Sequence, residues 1–170
     1  MPRLPRPSGP PDTVWFGGHP ESATLCLRVC GDDLEPDEIS RLLGRAPTRS
    51  QRKGQPVLDE SGRTKRIART GSWLLDYALS PDATITEAIE SLLEILPGDT
   101  QPWQTLGERF SVDLLCHIFV RGVNQGFVVA PRVLESLGRR GIELGLDIFC
   151  RSDPEQAAAL ADRLAEKTAK

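Results

Sequence analysis

The sequence predicts an α+β fold, a ferredoxin-like sandwich built from two strand–helix–strand halves, with one mainly antiparallel sheet and helices packed on one face. Three observations lead there. Four runs alternate apolar and polar residues with the period of a half-buried strand: Thr24–Cys30, Ser72–Ala78, Ser111–Arg121 and Ile142–Cys150. The segments between them carry apolar residues at helical spacing. A weak repeat also links the two ends of the chain. A strand-like run closing on Gly leads into a Pro-started helix that ends in Leu-Gly-Arg, first as Thr24–Gly31 and Pro36–Arg45, then as Val112–Gly122 and Pro131–Arg139. The matched helix positions are Ile39/Val133, Leu43/Leu137, Gly44/Gly138 and Arg45/Arg139. Two similar units commonly pack as two halves of one sheet.

The elements follow in order. Met1–Asp12 is Pro-rich and reads as a flexible or polyproline arm. Thr13–Gly17 reads as a short edge strand, with Trp15 or Phe16 tacking the arm down. In Thr24–Cys30, Leu25, Leu27 and Val29 point one way, and Thr24, Cys26, Arg28 and Cys30 the other. Gly31 and Asp32 turn the chain. Pro36 suits a first helical position. Ile39, Leu42 and Leu43 form that helix's buried stripe, and Gly44 ends it. Ser72–Ala78 shows Trp73, Leu75 and Tyr77 on one face. Thr84 and Glu87 make a capping box ahead of a helix bearing Ile85, Ile89, Leu92, Leu93 and Leu96. Pro97 and Gly98 stop it. A short amphipathic helix over Pro102–Arg109 offers Trp103 and Leu106, and both Trp73 and Trp103 read as core anchors. Ser111–Arg121 turns Val112, Leu114, Cys116, Ile118 and Val120 to one side. Gly122–Gly126 reads as a flexible turn. The last strand, Ile142–Cys150, is expected to turn Ile142, Leu144, Leu146, Ile148 and Cys150 inward. Asp153 and Pro154 then open an Ala-rich helix to about Ala165.

One segment breaks the pattern. Residues 45–69 carry eight Lys/Arg against Asp59 and Glu60, a local excess of six positive charges in a molecule of net charge −3. They include Gly54 and Gly62 and show little periodicity. A long loop is expected, with a short hairpin around Gln55–Leu58. Arg49, Arg52, Lys53, Arg63, Lys65 and Arg66 are its candidate contacts. Guanidinium groups suit phosphates and carboxylates. The segment holds no aromatic residue for base stacking, and the chain has no phosphate loop or dinucleotide-binding glycine motif. A solvated loop balancing acidic helices is the competing reading.

The length of 170 residues suits one domain with ragged ends: an arm at 1–12, an α+β domain at 13–150 and a helix at 151–170. The net charge does not suit a nucleic-acid coat. No stretch approaches the ~20 apolar residues of a membrane span. The N-terminus has basic and Pro residues without an apolar core, unlike a secretory signal. Cys26, Cys30, Cys116 and Cys150 fall in strand-like runs without a C-x-x-C pair, which reads as buried reduced thiols in a cytoplasmic protein.

The chain resembles a bacterial family known only as a domain of unknown function, number 4279. The residues that carry the resemblance are Gly31-Asp32-x-Leu34-x-Pro36, Leu43-Gly44-x-x-Pro47-Thr48, Lys53-Gly54, Gly71-x-Trp73-x-Leu75 and Ile89-x-x-Leu92-Leu93. The last block is Leu134-x-x-Leu137-Gly138-x-x-Gly141-Ile142-x-Leu144-x-Leu146-Asp147-Ile148. The resemblance as a whole spans about Thr24–Cys150. It implies a recurring bacterial domain and no particular chemistry.

The strand faces opposite the apolar stripe hold the remaining candidates. If the strands are neighbours, Arg28, Asp113, His117 and Asp147 share one surface, with Leu115, Phe119, Glu143 and Phe149 beside them. Imidazole and carboxylate suit proton transfer or metal binding, whereas a partly polar sheet face suits a partner. Cys116 and His117 are sequence neighbours on opposite faces, which argues against a dyad. Cys26 or Cys30 with His117 is geometrically open. His19 reads as exposed. The expected function is a non-enzymatic binding or regulatory domain that recognises a protein partner, immunity-like in one form, through the open sheet face or the basic loop. The alternatives are a small-ligand sensor and a hydrolase-type enzyme using His117 with a carboxylate. No cofactor is called for, an acidic partner fits the loop, a homodimer is plausible, and neither nucleic acid nor membrane is expected.

Overall fold

The computed structural model describes residues 20–80, 83–121 and 126–151, with the side chains of residues 121, 150 and 151 left aside. The expectations for the Pro-rich arm, the Thr13–Gly17 strand, His19, most of the Gly122–Gly126 turn, the Cys150 side chain and the C-terminal helix lie outside these residues. The elements are β1 (Ser22–Gly31), α1 (Pro36–Leu43), β2 (Arg49–Gln51), β3 (Pro56–Leu58), β4 (Thr64–Ile67), β5 (Gly71–Ala78), α2 (Ile85–Glu94), α3 (Gln101–Gly107), β6 (Ser111–Arg121), α4 (Pro131–Arg139) and β7 (Glu143–Arg151).

The fold is α+β with a mixed, mainly antiparallel sheet ordered β2–β5–β1–β6–β7. All pairings are antiparallel except β6–β7, which is parallel. β3 and β4 form a separate antiparallel hairpin.

Period-two alternation sorts each long strand into two faces. Leu25, Leu27 and Val29 of β1 join Trp73 of β5 and Val112, Leu114, Cys116 and Ile118 of β6 on the buried side. Over them lie Ile39 and Leu43 of α1, Ile89 and Leu92 of α2, Trp103 and Leu106 of α3, and Val133 and Leu137 of α4. Both indoles are fully buried and both keep a partner for the ring N–H. Trp73 Nε1 donates to Ser40 Oγ at 3.0 Å and Trp103 Nε1 to the Pro97 carbonyl at 3.0 Å.

Local signals set the helix ends. Gly44 caps α1 with φ +65°, a left-handed conformation that favours glycine. The Thr84–Glu87 capping box starts α2, with the Glu87 amide donating to Thr84 Oγ1 and the Thr84 amide to Glu87 Oε2.

Two expectations need correction. Residues 45–69 are not one long loop. They hold β2, which joins the main sheet, and the β3–β4 hairpin. β2 and β1 are both antiparallel to β5, so they run parallel to each other. The strand that completes the first repeat unit is therefore β2, and β5 lies between the two. The second unit, β6–α4–β7, has its parallel strands side by side. The loop expected over residues 45–69 hid this strand, because β2 is three polar residues long and shows no alternation.

The second correction concerns β7. Leu146 and Ile148 are on the helix side of the sheet but remain 48% and 46% exposed. β7 is the edge strand, and the described helices only partly reach over it.

Candidate functional site

All four described helices lie on one side of the sheet, and no described element covers the opposite face. Strand register lays it out in rows. One row runs Arg49, Leu74, Arg28, Asp113, Glu143 across all five strands. The next runs Asp76, Cys26, Leu115, Gly145, and a third runs Ala78, Thr24, His117, Asp147. Phe119 and Phe149 end the array as register partners. The structure thus brings Arg28, Asp113, His117 and Asp147 onto one surface, and Arg49 of the basic segment onto the same face.

The charges are largely paired. Arg28 Nε donates to Asp113 Oδ1 at 2.7 Å. Arg49 grips Asp76 with two bonds, Nε to Oδ2 at 3.1 Å and Nη2 to Oδ1 at 3.0 Å. His117 Nδ1 is 3.4 Å from Asp147 Oδ2, close enough to pair when the ring is protonated. Arg49's hydrogen bonds hold the Asp76 carboxyl below the usual carboxylate range. The Phe119 and Phe149 rings stack with centroids 4.8 Å apart, and Phe149 is 42% exposed.

The thiols on this side are poor nucleophiles. Burial, reinforced by a hydrogen bond to Asp76, pushes the Cys26 thiol up to about 12. Burial also raises Cys30. Cys116, on the helix side, is pushed by burial to about 12. A protonated thiol does not attack. Thr24 adjoins His117 in register, but no side-chain hydrogen bond joins the two, so the His117–Asp147 pair does not activate the Thr24 hydroxyl in this arrangement.

Four of the segment's eight cations, Arg49 among them, pair with the protein's own acids. Arg52 Nε donates to Glu35 Oε2 at 2.5 Å and also approaches Asp37. Lys53 bonds Asp32, and Arg63 bonds Ser61 and approaches Asp59. Among the six candidate contacts, Lys65 and Arg66 have no acidic partner among the described residues. Both are on β4, in a hairpin that also exposes Leu58 and Ile67.

Sequence reasoning passed over Asp76, although Trp73, Leu75 and Tyr77 turned inward implied an acid on the outer face. It also passed over a groove of about 530 Å³ between α2 and α4, lined by Glu90, Glu94, Arg132, Ser136 and Arg140 among others. No sequence pattern marks that groove, since its walls come from two helices. Among the described residues no group of three or more His, Cys, Asp or Glu could hold a metal. No described helix is long and apolar enough to cross a membrane.

The family model of a domain of unknown function, DUF4279, covers residues 21–151. No curated protein and no solved structure matches the chain.

Proposed function

The chain belongs to the DUF4279 family, and we propose that it is a non-enzymatic binding domain that recognises a protein partner on the open face of its sheet. The observation that carries the reading is the stacked Phe119–Phe149 pair, with Phe149 half-exposed, in the same array as the Arg28–Asp113 bridge. Aromatic and Arg side chains are the ones enriched at the centres of protein interfaces. No described element covers them. The raised thiols and the unactivated Thr24 favour recognition over covalent chemistry.

The β3–β4 hairpin is the second contact surface that the charge pattern supports, through Lys65 and Arg66. Its contribution to affinity should fall with salt, because exposed charges are screened.

The test uses the full chain immobilised against extract of its source cells, followed by purification of whatever it retains and direct affinity measurement. Phe149→Ala is expected to weaken that partner at least about tenfold, the size of a modest interface anchor. Loss on Lys65→Glu with Arg66→Glu, and none on Phe149→Ala, would move the contact to the hairpin. Unchanged affinity in all variants would end the reading. A mass that doubles with concentration would identify a second copy as the occupant.

The ferredoxin-like description of the fold is proposed in a refined form. The β2–β5–β1–β6 order, with β1–α1–β2 split by β5, supports a β-α-β-β-α-β unit. The β3–β4 hairpin and α3 are then insertions, and α4–β7 is an extension at the sheet edge. Cross-strand amide contacts read by NMR test it: β2–β5, β5–β1 and β1–β6 contacts are expected, and a direct β1–β2 pairing would overturn it.

A further inference from the structure

The groove between α2 and α4 has a charge arrangement that the sheet-face reading does not use. The two helices run side by side in the same direction, joined at three levels. At the top, Thr86 Oγ1 donates to the Val128 carbonyl at 2.9 Å and accepts from the Ala130 amide at 3.2 Å. In the middle, Arg132 is bidentate on Glu90. At the bottom, Arg140 Nε donates to the Pro97 carbonyl at 3.3 Å. Leu93, Leu96 and Val133 form the apolar part of the lining.

Arg140 is held rigidly but is not neutralised. Its Nη1 donates to the Ser136 carbonyl at 3.0 Å and to Ser136 Oγ at 2.5 Å, and its guanidinium is 5.9 Å from the Trp103 ring centroid. These contacts use Nε and Nη1, leaving both Nη2 hydrogens for another acceptor. No carboxylate pairs with it among the described residues. Burial lowers its pKa, the sign of a cation short of compensation. Ser136 Oγ accepts from Arg140, so its own proton is free to donate.

Glu94 lines the same groove. It forms no ion pair with Arg140, Arg132 or any other described cation. With Glu90 and Arg132 satisfying each other, the groove offers one uncompensated cation, one uncompensated carboxylate and an apolar floor. A simple anion would meet Arg140 but be opposed by Glu94. A simple cation would meet the reverse.

We infer that this groove binds a small zwitterion, a free α-amino acid with an apolar side chain. Its carboxylate accepts from Arg140 Nη2 and the Ser136 hydroxyl, its ammonium donates to Glu94, and its side chain lies against Leu93, Leu96 and Val133. A volume of about 530 Å³ is within the range of small-molecule sites.

The experiment is titration of the full-length protein with each of the twenty amino acids at millimolar concentration, read by melting temperature and calorimetry. At least one apolar amino acid is expected to raise the melting temperature. Its N-acetyl derivative, which lacks the ammonium, and its amide, which lacks the carboxylate, are each expected to bind at least about tenfold more weakly, the scale of one lost hydrogen bond to a charged group. Arg140→Gln also removes contacts to Pro97 and Trp103, so it can fail by misfolding. Glu94→Gln alters an exposed side chain and is the deciding variant. It should weaken the amino acid about tenfold and leave the N-acetyl derivative unchanged. Equal binding of the amino acid and its N-acetyl form, or no response to any of the twenty, overturns the proposal. Neither result bears on capture by the sheet face.

Discussion

Arg28 on β1 and Asp113 on β6 are register partners 85 residues apart in sequence, and Arg28 Nε reaches Asp113 Oδ1 at 2.7 Å. The pair joins two of the inner strands of the sheet, in the row of the open face that runs from Arg49 to Glu143. Asp113's hydrogen bond raises the Arg28 pKa. Arg28 is 39% exposed at its side chain and Asp113 20%, so water screens much of the attraction.

A double-mutant cycle on Arg28→Ala and Asp113→Ala is therefore expected to give a coupling of about 0.5–1 kcal/mol in urea unfolding. A coupling near zero would make the bridge a surface ornament, available to an incoming partner at no cost to the fold.

Asp76 sets part of the acid stability. Its folded pKa is depressed, chiefly by the Arg49 hydrogen bonds, with a further bond from the Cys26 thiol. A depressed carboxylate contributes stability that is complete above the unfolded pKa, about 3.9, and is lost as pH falls through the folded value. Melting temperature followed from pH 7 down to pH 2 should drop below about pH 4 more steeply in wild type than in Asp76→Asn. Parallel curves would show that Arg49 gives this carboxylate no net preference for the folded state.

Thiol chemistry provides a third check. Cys26 and Cys116 are buried and pushed up to about 12, so each is almost wholly protonated at pH 7.5. Iodoacetamide at that pH should leave both unmodified in the native protein and label both in guanidinium chloride, as read by peptide mass spectrometry. Native-state labelling of Cys26 at the rate of a free thiol would restore it as a candidate nucleophile.

The crossing of β1 and β5 leaves no room for a side chain. Gly71 pairs with Gly31, and a Cβ on Gly71 would come 2.8 Å from the Gly31 carbonyl oxygen and 2.9 Å from Leu34 Cβ. The first obstacle is backbone and cannot swing away. Gly71→Ala is expected to cost about 1–3 kcal/mol in chemical denaturation, the usual range for overpacking. Gly107→Ala, where nothing comes within 4 Å, is the control and should be tolerated.

The legible parts of the fold were those with a local signature. Alternation placed Leu25, Leu27 and Val29 inward and Arg28 outward because a strand's two faces follow from the backbone pleat alone. The Thr84–Glu87 box and Gly44 marked helix ends because capping is settled within four residues. β2 escaped notice because Arg49-Ser50-Gln51 has no apolar face to show and exists as a strand only through its partners Leu74, Trp73 and Ser72. Leu146 and Ile148 alternate like core residues, yet the edge position of β7 leaves them half-exposed.

The open face was legible as a set of residues but not as a set of pairs. The sequence by itself determined which side chains share a strand face, since period two is a property of each strand in isolation. Tertiary structure alone decided that β6 would pair with both β1 and β7, joining Arg28 to Asp113 and His117 to Asp147. It also decided that Arg49, Arg52 and Lys53 would spend their charge on Asp76, Glu35 and Asp32. Charge runs count residues along the chain, whereas Coulomb attraction acts through space. The six excess positive charges of residues 45–69 were real in the sequence, and the fold supplied acids from β5 and the turn into α1 to meet three of the cations.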